Sequence, residues 1–242
     1  LQDQVCFEAE TGLAVRGSIW PYAVALMIVI AAVVLAVVCF RMKNQPHTSF
    51  PDSLPAAFAA APRVRTIGGI VLGALLAVGG AWLMISSGTL SSPGLQRVLA
   101  VLAIVTGAAF ARQMLAPGDA EATSGAVVCA SMPIVLLAFW LIVSYKVNII
   151  NPTISAYAVE ILALCAALIA FYQLAGFAYG RPKAIKSIFW SQFAAFLCIT
   201  ALPDDRTGGQ QLMLAAVAGI LVFQSYLTAS NTVSYTHLTL PT

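Results

Sequence analysis

Glu160 is the only acidic residue that lies inside one of the long apolar runs of this 242-residue chain. A carboxylate at that place is expensive unless it is hydrated, hydrogen-bonded or protonated, so it marks a position where ion or proton chemistry could occur. Tyr157 precedes it by three residues and shares its helical face, which makes Tyr157 its nearest local partner. Counted from Ile154, Glu160 is six residues into its run, about 9 Å along a helix axis and nearer an interface than the bilayer midplane. Two readings remain open. One is a proton- or cation-sensitive group in an outward-facing cavity; the other is an interfacial glutamate that bonds a neighbouring helix or reaches water. Gln173, thirteen residues on, falls roughly 220° round the helix and faces elsewhere. Gln192 and Gln224 are polar side chains in other runs, and the sequence alone does not place them.

Other chemistry finds little material. No GxSxG elbow is present and no histidine lies in an apolar run to activate a serine. HExxH is absent, as is the phosphate-cradling GxxxxGK[ST] loop. His47 stands alone in a connection and reads as solvated, and the adjacent Asp204 and Asp205 read as a solvated turn. The five cysteines form no CxxC pair, and four lie in apolar runs where cysteine acts as a small hydrophobe. The expectation is therefore a non-enzymatic protein with no metal and no cofactor. No basic patch with interleaved aromatics suggests a nucleic-acid partner.

The elements that must position Glu160 are membrane spans. Hydrophobic residues make up 60% of the chain and charged residues 9%, with a mean hydropathy of +0.91; an ordinary soluble domain is about 25% charged. Residues 1–18 form a short polar tail. Seven apolar runs follow, at about 19–40, 67–85, 95–115, 125–145, 154–177, 188–202 and 211–227. Each is read as a helix long enough for hydrocarbon roughly 30 Å thick. The third is the weakest, because Arg97 and Arg112 bracket only fourteen residues, but both can snorkel to opposite interfaces. The fold class is thus all-α, a polytopic transmembrane helix bundle. Gly69, Gly73, Ala77 and Gly80 line one face of the second run and read as a close-packing surface within the monomer rather than a dimer seam. Pro133 near the middle of the fourth run predicts a helix kink. Asn151 and Pro152 predict the cap and first residue of the fifth. In the connection after the first run, Phe50, Leu54 and Phe58 fall at i, i+4 and i+8, but four prolines favour a plain loop over an interfacial helix.

Lysine and arginine set the orientation. With the N-terminus outside, the inner loops carry Arg41, Lys43, Arg63, Arg65, Arg112, Arg181, Lys183 and Lys186, and the outer side carries Arg16, Arg97, Lys146 and Arg206. Eight against four predicts N-out, C-in in a bacterial cytoplasmic membrane. The chain opens on Leu1 and reads as a fragment. Its residues 233–242, VSYTHLTLPT, resemble the in-frame translation of a sequencing adapter and are expected to be non-native. Two functions fit: a structural or regulatory membrane subunit, or a small secondary transporter or permease component using Glu160. The expected partners are the lipid bilayer and other membrane subunits or a second copy.

Overall fold

The computed structural model describes residues 20–44, 50–51, 53–58, 62–90, 92–115, 124–148, 157–204 and 206–238, with side chains beyond Asn231 outside the described set. Within them seven helices are long and apolar enough to cross a membrane. They are α1 (Trp20–Lys43), α2 (Pro62–Ser86), α3 (Pro93–Leu115), α4 (Ser124–Asn148), α5 (Ala158–Ala178), α6 (Ala184–Ala201) and α7 (Gly208–Leu238). The third run, bracketed by its arginines, is a full helix, and both Arg97 and Arg112 are exposed along it.

Helices α2 to α7 form a closed ring of antiparallel neighbours. Each packs on the next in sequence, and α7 returns to pack on α2. Lipid supplies no hydrophobic drive between helices, so closure depends on van der Waals contact and interhelical hydrogen bonds. Glycines on α2 provide the contact on two faces. Gly69, Gly73 and Gly80 face α3, where a Cβ on Gly80 would lie 2.8 Å from the Ala100 carbonyl oxygen. Gly73 and Gly107 meet backbone to backbone, and a Cβ on Gly107 would come within 3.2 Å of the Ala77 Cβ. Gly68 and Gly79 face Phe223 and Met213 of α7. The small-residue face is therefore occupied inside the chain by α3. A second small face, on which the sequence reading was silent, closes the ring.

α1 lies outside this ring. Its principal neighbour is α6, and only 6% of its apolar window is buried. Leu26, Val29, Ile30, Val33 and Val37 are all exposed, as suits a lipid-facing helix.

Several boundaries differ from the sequence expectation. α5 begins at Ala158 with Tyr157 at its cap position, four residues later than the expected 154; Asn151 and Pro152 lie outside the described residues, as do 154–156. α7 continues well past the expected end at 227. Hydropathy falls there, but the polar groups turn inward: Gln224, Ser225, Thr228 and Asn231 are buried, and Thr228 donates to the Gln224 carbonyl oxygen at 2.9 Å. The described part of the stretch around Phe50, Leu54 and Phe58 is not a plain loop. A single turn, Leu54–Ala57, brings Ala57 and Phe58 into the end of the ring, where Asn231 Nδ2 donates to the Ala57 carbonyl oxygen and Arg65 Nη1 donates to that of Phe58 at 3.0 Å. α4 is continuous through Pro133, which is buried.

The turn between α5 and α6 is built by Gly180. Its φ of 67° is left-handed, and the Arg181 N–H reaches back to the Gly176 carbonyl oxygen at 2.8 Å. This is the Schellman closure that glycine favours, followed by Pro182, which cannot continue the helix. It fixes the antiparallel return that carries α6, and then Arg206, back towards Glu160.

Candidate functional site

Glu160 is the third residue of α5, in its first turn. The unsatisfied N–H groups there give the helix end partial positive charge, which favours a carboxylate. The cation that meets it comes from the turn between α6 and α7. Arg206 Nε lies 3.2 Å from Glu160 Oε2, and the two side chains are 6% and 10% exposed. The Nε–H does not point along that line, so the attraction is coulombic rather than a formed hydrogen bond. The rest of the guanidinium is engaged. Nη2 donates to Asp204 Oδ2 at 3.1 Å, and Nη1 donates to the carbonyl oxygen of Ala201, the last residue of α6. The C-terminal end of a helix carries partial negative charge, so a cation belongs there.

A second set of polar contacts at the same end involves α3. Thr207 caps α7, accepting from the Gln210 N–H at 3.4 Å. Gln210 Nε2 in turn donates to Oε1 of the buried Gln96 on α3 at 3.3 Å. Gln211 Nε2 donates to the Asp204 carbonyl oxygen at 3.5 Å. Where α3, α5 and α7 begin and α6 ends, charges and amides thus tie four of the ring's helices together.

Three points differ from the sequence reading. Glu160 sits closer to its helix start than the count from Ile154 gave. The charge facing it belongs to Arg206; Tyr157 contributes its backbone carbonyl to Ile161 N–H at 3.1 Å. Asp204 belongs to the cluster, with its side chain only 15% exposed; Asp205 lies outside the described residues. The signal for Arg206 was present in the sequence. A lone acid needs a cation at its own depth, and Arg206 is the basic residue that immediately precedes the seventh run on the same side of the bundle.

The remaining polar side chains of the spans are dispersed. Gln192 Nε2 donates to Ser225 Oγ, joining α6 to α7. Gln224 is buried on α7, and its Oε1 has no hydrogen-bond partner. Among the described residues no group of three or more His, Cys, Asp or Glu side chains converges as metal ligands would. Among the described residues, the cluster at Glu160 joins one guanidinium to two carboxylates and the end of α6, which is charge compensation between helix ends. This is a multi-pass membrane-type helical bundle, and comparison with known protein families, curated proteins and solved structures finds no match.

Proposed function

We propose that the chain is a structural or regulatory subunit of a bacterial cytoplasmic membrane, without catalysis of its own and with its N-terminus outside. The supporting observation is the engagement of Glu160 by Arg206: the one acid in the spans is neutralised by a cation that also holds Asp204 and the end of α6. A carboxylate so committed serves as a strut between helices. The exposed apolar length of α1 and the closed ring leave contact with lipid or another membrane subunit as the remaining role.

The transporter reading assigns Glu160 to ion coupling instead. Its support is the buried, unpartnered Gln224 Oε1 inside the ring, a polar group beyond what a purely structural interior requires. Reconstitution of the purified protein in liposomes with a pH-sensitive dye inside separates the two. The subunit reading expects no proton or cation flux above protein-free vesicles. A flux abolished by Glu160→Gln would overturn it in favour of transport.

A further inference from the structure

α1 stands outside the ring but lies against it along its length. Val24, Ile28, Ala31, Leu35, Cys39 and Met42 form one stripe of reduced exposure at helical spacing, and the principal neighbour is α6. Consecutive spans alternate in direction, so α1 and α6 run antiparallel, and the last turn of α1 lies at the same end as the first turn of α6. Cys39 is 7% exposed, which holds that end of α1 on the bundle.

Cations gather at this end of the helix pair. Arg41 and Lys43 flank Met42 in the last turn of α1, Lys183 occupies the cap position of α6 and Lys186 its first turn, and all four are exposed. The arginine and lysine of α1 suit the partly negative end of their helix. Lys183 and Lys186 do not, because the start of α6 is itself partly positive. Among the described residues the carboxylates are Glu160 and Asp204, and Arg206 holds both at the opposite end of the bundle. Like charges so placed repel across the contact between α1 and α6 unless an anion lies among them.

Beyond the lysines the surface becomes aromatic. Phe189, Trp190 and Phe193 follow Lys186 at three, four and seven residues, on one helical face, and all three are half-buried. Their rings pack with centroids between 5.5 and 6.2 Å apart. A tryptophan one turn inside a basic helix end sits at headgroup level. The ligand that fits is anionic at one end and apolar along its length, as a bilayer phospholipid is. An acidic peptide from solution answers the charges and leaves the aromatic face without a role. We infer that this end of the α1–α6 pair is a binding site for an anionic phospholipid. Its phosphate lies among Arg41, Lys43, Lys183 and Lys186, its acyl chain runs over Phe189, Trp190 and Phe193, and it bridges the outlying α1 to the ring. The site is the same whichever side of the membrane that end faces.

Brominated lipids, which quench tryptophan at close range, test the site in reconstituted vesicles. Trp20 and Trp82 are replaced by phenylalanine, leaving the half-buried Trp190 and the fully buried Trp140. In phosphatidylcholine vesicles, half-quenching is expected at a mole fraction of brominated phosphatidylglycerol about fivefold lower than of brominated phosphatidylcholine. Lys183→Gln with Lys186→Gln should bring the two lipids within about twofold of each other. Arg63→Gln with Arg112→Gln removes two exposed cations from the same end, away from α6, and should leave the preference intact. The assignment is overturned if the native sites show no preference, or if the arginine pair lowers it as much as the lysine pair, which is the result of diffuse surface charge. Should the tryptophan-reduced protein not fold, native mass spectrometry of the protein with all its tryptophans, titrated with each lipid, reads the same preference and the same two variants decide it.

Discussion

Replacing Arg206 by methionine removes the cation and keeps most of the side-chain volume. At 3.2 Å the Glu160 pair has an attraction of about 5 kcal/mol at an effective dielectric of 20. That figure overstates the net contribution, because both ions lost their hydration when they were buried. The cost of breaking such a pair from one side is better taken as about 3–5 kcal/mol, since it strands the other charge. Glu160 is the stranded charge in Arg206→Met, and with its side chain 10% exposed it has little water to fall back on. Glu160→Gln is different. It leaves Arg206 bonded to Asp204 and to the Ala201 carbonyl, so a loss of only about 1–2 kcal/mol is expected. In the double variant the stranded carboxylate is gone, and the two losses should fall short of additive by about 1–3 kcal/mol. Reversible unfolding in mixed micelles, followed by tryptophan fluorescence on all four proteins, measures each value. The Glu160–Arg206 pairing is refuted if Arg206→Met costs no more than Glu160→Gln, or if the double variant shows the sum of the singles.

Glycine contacts predict a contrast within α2 and α3. Gly73→Leu sets a side chain against the backbone of α3 and is expected to cost about 2–3 kcal/mol in the same unfolding assay. Gly94→Ala, with nothing within 4 Å of the new Cβ, should stay within about 0.5 kcal/mol of the native protein. Asn231→Ala removes the donor that anchors Ala57, so hydrogen exchange at Ala57 and Phe58 should accelerate about tenfold while the α2–α3 contact keeps its protection. For the proposed orientation, a cysteine at the exposed Gly88, in the turn between α2 and α3, should react with a membrane-impermeant maleimide on intact cells. Labelling only after lysis would reverse the topology.

What could be read in advance follows from the physics each signal carries. Span number was legible because hydrocarbon thickness acts on every helix independently, so even the run between Arg97 and Arg112 declares itself by length. The end of α7 was not, because hydropathy averages round the helix and cannot tell an inward polar stripe from a solvated one. Ser225, Thr228 and Asn231 lower the average while satisfying themselves on carbonyls inside the bundle. The fate of Leu54–Phe58 was hidden for a similar reason: the two bonds that draw it inward come from Arg65 and from Asn231, 174 positions away from Ala57.

Glu160 lay between these cases. Its type and its place nearer an interface than the midplane were visible, and both imply a compensating charge, but its exact distance from the helix start was not, and the choice of Arg206 depends on how the ring closes. Closure is decided by glycine contacts: α2 against α3 through Gly73 and Gly107, and α2 against α7 through Gly68 and Gly79. Glycine at these places lets backbones approach, and only then do the starts of α5 and α7 lie side by side with the end of α6. The polar cluster is therefore a consequence of the small-residue packing as well as a support for it. If that dependence is right, Gly73→Leu should weaken the coupling between Glu160 and Arg206, although neither residue is touched. A double-mutant cycle repeated in the Gly73→Leu background would read that coupling directly, and an unchanged value would separate the two features.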